Sequence, residues 1–222
     1  MIQLSEREQG VLEAIVRDYI TSAIPVSSER VRKVSDIDIS SATFRAIMGD
    51  LEDTGYLTQP YTSAGRIPTQ RAYRYFVDNC INKNNSPDEV FVRLFQELGG
   101  WNLCMRKITA RAHVFAAVLD DDEVTHFGAK EIFKEPEFLN DPLLMRSFGS
   151  LIDSLHDLLY EYREATRDTS EPRAFIEREN PVRAARRMSI VASPLREKRG
   201  VVIVLGPSRM NYEVVITTLR SL

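Results

Sequence analysis

Residues 27–68 read SSERVRKVSDIDISSATFRAIMGDLEDTGYLTQPYTSAGRIP. Ser27 is placed to cap a short helix over about 28–34, and SDIDIS interrupts it as a turn. Ser40 or Ser41 then opens a longer helix, about 41–54, which closes at Gly55. Residues 56–68 read as a hairpin: Tyr56-Leu57 enters, Arg66-Ile67 leaves, and Ser63-Ala64-Gly65 lies near the tip. Pro60 and Pro68 keep that hairpin short and at a sheet edge. Helix, turn, helix, hairpin is the order of a winged helix-turn-helix, which lays its second motif helix in the major groove of DNA.

Working outward, residues 5–21 form an amphipathic helix. Ser5 and Glu8 fit a capping box, and Val11, Leu12, Ile15, Val16, Tyr19 and Ile20 share a stripe. Ile24-Pro25 ends it. Thr69 to Ile81 is helical by its spacing of Tyr73, Phe76, Val77 and Cys80, and the polar run NKNNSPDE, 82–89, is a linker. The expected division is therefore 1–81, a linker over 82–89, and a second domain over 90–222. In the second half the pattern predicts a helix over 88–110, a strand over 113–119 ending in the acidic turn DDDE, and a strand running into a short helix over 124–133. It then predicts one amphipathic helix over 143–160, strands at 173–178, 188–192 and 200–205, and a last helix from Tyr212. Strands interleaved with helices give an α+β domain with a small sheet.

The 222 residues carry a net charge of −3, and 43% are hydrophobic. That composition is ordinary for a soluble globular chain, and no apolar run is long enough to span a bilayer. MIQLSEREQG lacks the basic and apolar regions of a secretory signal, and Cys80 and Cys104 sit in no metal-ligand spacing, so free thiols in a reducing cytoplasm are expected. The acidic balance argues weakly against nucleic acid, but distribution decides more than the sum. No Asp or Glu occurs over 54–77, where Arg66, Arg71 and Arg74 stand, nor over 39–49, which holds Arg45.

At 100° per residue, Phe44, Ile47, Met48 and Leu51 share the inner side of the second motif helix. Ala42, Ala46 and Gly49 lie opposite, flanked by Thr43 and Arg45. Small residues let a helix backbone approach base edges, and arginine can reach guanine O6 and N7. Ser40 and Ser41 at the helix N-terminus can hold a phosphate. The wing adds Tyr61, Thr62, Ser63, Gly65 and Arg66 for a phosphate or the minor groove. The same small face could pack on another helix, and Arg66 could be a solvated hairpin residue. No P-loop, GxSxG, HExxH or other catalytic constellation occurs, so no enzyme and no cofactor is expected. Asp120–Glu123 read as a solvated turn rather than a cation site. In LGPSRMNY, 205–212, Arg209 could bind an anion, although a structural strand-to-helix turn with Met210 and Tyr212 in the core is the plainer reading.

The segments LSEREQGVLEAIVRDYI, PVSSERV, SSATFRAIMGDLEDTGYL and QPYTSAGRIPTQRAYRYFVD, with KEPEF, IERENPV, MSIVAS and GVVIVLGPSRMNYEVVI, resemble the heat-inducible transcription repressors called HrcA. The resemblance implies a winged-helix domain followed by a GAF-like domain, and a cytoplasmic homodimer that represses chaperone operons at an inverted-repeat operator. It implies a GroEL-type chaperonin as partner, a recognition helix at 41–54 and a wing at 58–68. Family members are usually longer; here the dimerising insertion, and part of the GAF-like core, are expected to be missing. Tyr61 stands where the family's wing usually has histidine, and Phe44 where isoleucine is common. The alternatives from other classes are a small-molecule-responsive winged-helix regulator and a winged helix used for protein contacts.

Overall fold

A computed structural model of the chain describes residues 4–81, 101–195 and 200–220. The chain divides into two compact units, 1–81 and 82–222. The predicted linker 82–89 and the part of the predicted helix over 88–100 lie outside the described residues.

In the first unit, α1 (Glu6–Ser22) opens with the capping box: Glu8 N–H donates to Ser5 Oγ (3.4 Å), and Ser5 N–H donates to Glu8 Oε2 (2.7 Å). The Ser5 hydroxyl, which donates to the same Oε2 at 2.6 Å, and after it the Ser5 N–H hold the Glu8 carboxyl below its ordinary pKa. Val11, Leu12, Ile15 and Val16 are buried on one face, and Ala23 in the left-handed region ends the helix ahead of Ile24-Pro25. Ser27 caps α2 (Ser28–Val34), and Ser40 caps α3 (Ser41–Asp53). The three helices pack on one another, burying Val31, Phe44, Met48 and Leu51 among the α1 side chains. Removing an apolar side chain of this size from water stabilises by about 1.5–3 kcal/mol. Ile47, predicted on the inner side, is only half-buried. β1 (Leu57–Thr58) pairs antiparallel with β2 (Ile67–Pro68), and Val26 adds a single bridge to Arg66. The helix predicted over 69–81 is α4 (Gln70–Tyr75) running into a π-helical turn, Phe76–Cys80.

The second unit is a five-stranded antiparallel sheet of order β4-β3-β7-β6-β5. Its strands are β3 (Phe115–Asp120), β4 (Glu123–Phe127), β5 (Arg173–Ile176), β6 (Ser189–Pro194) and β7 (Val201–Gly206). One face carries Phe115, Ala117, Leu119, Ile190, Ala192, Ile203 and Leu205. It packs on α6 (Pro136–Asn140), α7 (Pro142–Asp153) and α8 (Leu155–Ala165). Helices α5 (Trp101–Ala112) and α9 (Tyr212–Leu219) also pack on the sheet, and bury Met105, Ile108, Val215 and Ile216. Because helices cover both faces, β3 and β7 are buried at nearly every position and read as unbroken apolar runs rather than alternating ones.

The structure corrects the single helix expected over 143–160. Two helices meet at Ser154, whose φ of −114° and ψ of 34° leave the helical region and whose hydroxyl donates to the Ser150 carbonyl (2.9 Å). The apolar period continues across the break through Leu151, Leu155 and Leu158, so the pattern alone could not register it. The short helix α6 was not expected either; Pro at its first position and only five residues give little periodicity.

Candidate nucleic-acid interface

The candidate surface is built on α3. Ser40 Oγ accepts from Thr43 N–H (3.1 Å), and the Ser40 and Thr43 hydroxyls lie 2.9 Å apart, so the helix starts at a fixed residue. With Phe44, Met48 and Leu51 held inside, Ala42, Arg45 and Ala46 are turned outward and exposed. Ser40 is also exposed, while Ser41, Thr43 and Gly49 are half-exposed. A Cβ placed on Gly49 would meet nothing within 4 Å. This face is therefore open within the first unit. Arg45 makes no ion pair among the described residues, nor do Arg32 and Lys33, exposed in the last turn of α2.

The far end of α3 is tied to the β1–β2 hairpin. Arg66 Nε donates to Glu52 Oε2 at 2.7 Å, with the two side chains 24% and 32% exposed. The Arg66 backbone exchanges two hydrogen bonds with Val26, both 2.9 Å. Arg71 Nη1 donates to the Thr54 carbonyl (2.6 Å), and its guanidinium lies 4.4 Å from the Tyr56 ring centroid. The hairpin tip is the turn Tyr61–Ala64: Ala64 N–H donates to Tyr61 C=O (3.0 Å), and Ser63 sits at φ 73°. Positive φ at the third turn position alone is the type II arrangement. Gln59 Nε2 closes the loop on the Ala64 carbonyl at 3.0 Å.

Tyr61, Thr62 and Ser63 are thus exposed at the tip, Tyr61 at 65%. Gly65 and Arg66 lie at the base instead of the tip. A Cβ on Gly65 would stand 2.5 Å from the Val26 carbonyl, so glycine here serves close backbone approach. Sequence reasoning missed Glu52, Val26 and Arg71 as the groups that position the surface. Acid at position 52 and arginine at 66 were visible, but fourteen residues separate them and no local period links them. Arg32 and Lys33 were missed because they precede the acidic turn, which masks their charge in any count along the chain.

In the second unit, Arg209 is saturated by carboxylates and holds no place for an anion. Its Nε donates to Glu137 Oε1 (2.5 Å) and its Nη2 donates to Glu137 Oε2 (2.9 Å) and to Glu135. Glu135 in turn lies 3.0 Å from His113 Nδ1. The KEPEF and LGPSRMNY segments thus meet as a structural clasp, with Met210 and Tyr212 buried. Burial, then Glu13, pushes the Cys80 thiol up to about 12, so it stays protonated. Among the described residues no group of three His, Cys, Asp or Glu could hold a metal, and no helix is long and apolar enough to cross a membrane.

Comparison with known proteins completes the picture. A crystal structure of a hypothetical protein matches 98% of this chain and 97% of its own with a TM-score of 0.79; at 18% identity that likeness shows the fold alone. The heat-inducible transcription repressor HrcA of Brevibacillus brevis is 56% identical over 78 residues, 35% of this chain and 23% of that protein. That of Acetivibrio thermocellus is 40% identical over 124 residues, 51% of this chain and 35% of that protein. The matched stretches therefore span well under half of these relatives. The profile of the HrcA protein C-terminal domain matches residues 70–216, about two thirds of the sequence, and on that match the chain belongs to the HrcA family.

Proposed function

We propose that this chain is a sequence-specific DNA-binding repressor of heat-shock (chaperone) operons that acts as a dimer on an inverted repeat. The single observation that carries the reading is the open Ala42–Arg45–Ala46–Gly49 face of α3, with an anchored hairpin beside it. On this reading the first unit is a winged helix-turn-helix. Residues 41–53 enter the major groove, Arg45 reads a guanine edge, and Ser40, Ser41 and Thr43 meet phosphate at the helix start. Tyr61, Thr62 and Ser63 lie along the backbone or in the minor groove, while Gly65 and Arg66 set the wing's angle. The names of the relatives, heat-inducible transcription repressors, support the operon class. The second unit, read as a reduced GAF-like domain, carries dimerisation and the response to a GroEL-type chaperonin.

Selection of bound duplexes from a random DNA pool tests this. Recovery of a palindrome whose half-sites are about 10–10.5 bp apart, or a multiple, is the expected result. A pool with no enriched sequence, together with no retention on immobilised duplex at low salt, refutes it.

A further inference from the structure

Among the described residues of the second unit, the exposed large hydrophobics are Leu139, Leu143 and Met145, at 66%, 56% and 38%. All lie on α6 and the first turn of α7. Monomeric proteins rarely cluster such side chains on one short stretch without a partner. Helix α7 shows what the patch borders. Leu144, Phe148 and Leu151 face the core. The opposite ridge, at spacings of four, three and four, is Pro142, Arg146, Gly149 and Asp153, all exposed. Leu143 and Met145 flank that ridge. A Cβ on Gly149 would meet nothing within 4 Å, and neither Arg146 nor Asp153 makes an ion pair among the described residues.

The order of these groups is self-complementary. The midpoint between Arg146 and Asp153 falls between Gly149 and Ser150. Seven residues at 1.5 Å rise separate the two charges by about 10.5 Å, close to two turns, so both point the same way. Two such helices laid antiparallel, crossing at Gly149–Ser150, bring each Arg146 opposite an Asp153 of the other copy, twice by symmetry. The glycine admits close approach at the crossing, and Leu143 and Met145 flank the ridge at the N-terminal turn of the same helix. We propose that this face of α7 is where a second copy of the chain docks, about a two-fold axis at Gly149–Ser150. The proposal deepens the dimer reading above and rests on it.

Charge reversal tests it on the full chain by sedimentation velocity at low salt, with binding to a single half-site duplex measured in parallel. Arg146→Asp and Asp153→Arg each raise the dimer dissociation constant about tenfold or more, because each puts like charges face to face. The double reversal restores it to within about threefold of the parent. Gly149→Leu blocks the crossing while raising the thermal midpoint, since leucine is the better helix former. A parent chain that stays monomeric at tens of micromolar overturns the proposal. So do single reversals that sediment like the parent, or a double that fails to recover. Half-site binding reports on the DNA reading separately: its loss in the parent would sink that reading and leave the sedimentation result to decide α7.

Discussion

Gly65→Ala should detach the β1–β2 hairpin from Val26. The added Cβ would lie 2.5 Å from both the carbonyl carbon and oxygen of Val26 and 2.7 Å from the carbonyl carbon of Pro25. All three are backbone atoms, so no rotamer change relieves the overlap. Gly65 does not sit in the left-handed region, and the demand for glycine is one of space. Relief requires breaking the Val26–Arg66 bridge, two N–H···O bonds of 2.9 Å each. At about 1 kcal/mol net per bond, that is about 2 kcal/mol. Overpacking against a rigid neighbour adds about 1–3 kcal/mol, for a local total of about 3–5 kcal/mol. Amide hydrogen exchange reads this directly. Protection at Val26 and Arg66 should fall by a factor of about 100 or more, at 1.4 kcal/mol per decade, while the buried turns of α1 and α3 keep theirs. Parent-like protection at both amides in the variant would refute the close-approach account of Gly65.

Arg45→Ala should weaken operator binding by about 1–3 kcal/mol and relax preference at one base pair, read by competition titrations against single-base variants of the site. Asn180→Ala removes a buried amide that donates to the carbonyls of Glu177 (2.8 Å), Ala185 (3.1 Å) and Met188 (3.0 Å) and accepts from the Tyr162 hydroxyl (2.5 Å). The orphaned groups should cost about 3–5 kcal/mol, seen as a lower urea midpoint for the second unit. Asp141 caps α7, and the Leu144 N–H, with Arg187 also bonded to it, holds its carboxyl below the ordinary range. A depressed folded pKa gives stability that is present above the unfolded value and lost as pH falls through the folded one. Asp141→Asn keeps a cap but cannot titrate, so the gap between its acid-denaturation curve and the parent's should close at the acid end.

The legible parts were those with a strong local signal. Ser5 and Ser27 announce their helices because a hydroxyl before an apolar-periodic run has one stabilising use there, and both cap as expected; of the two serines open to cap α3, Ser40 does so. β3, β6 and β7 were legible as apolar runs, but the sheet order was not, since pairing Phe115 with Leu205 links positions ninety residues apart. The break at Ser154 was silent because core spacing carries straight across it. In the candidate surface, the outward face of α3 followed from periodicity alone. The role of Arg66 did not: charge on a hairpin reads the same whether it meets solvent, phosphate or a distant glutamate.

That ambiguity has a measurable consequence. In the first unit Arg30 is bound by Asp18 through two bonds of 2.6 and 3.0 Å, Arg66 by Glu52, Arg17 by Glu13 and Arg74 by Asp78. Arg71 caps a carbonyl. The acid-free stretch is therefore less cationic toward an outside partner than its composition suggests. If only Arg32, Lys33 and Arg45 neutralise phosphates, a dimer engages about six, and log affinity against log salt should fall with a slope of about −5. Arg66→Ala should then leave the slope nearly unchanged, because Glu52 already answers that charge. Glu52→Gln should steepen it, by up to about 0.9 per copy, by releasing the guanidinium to the duplex. A parent slope near −7, flattened by Arg66→Ala and indifferent to Glu52→Gln, would mean that the arginine abandons its carboxylate on binding. The ion pair would then be a feature of the free protein alone and could not set the wing's angle on DNA.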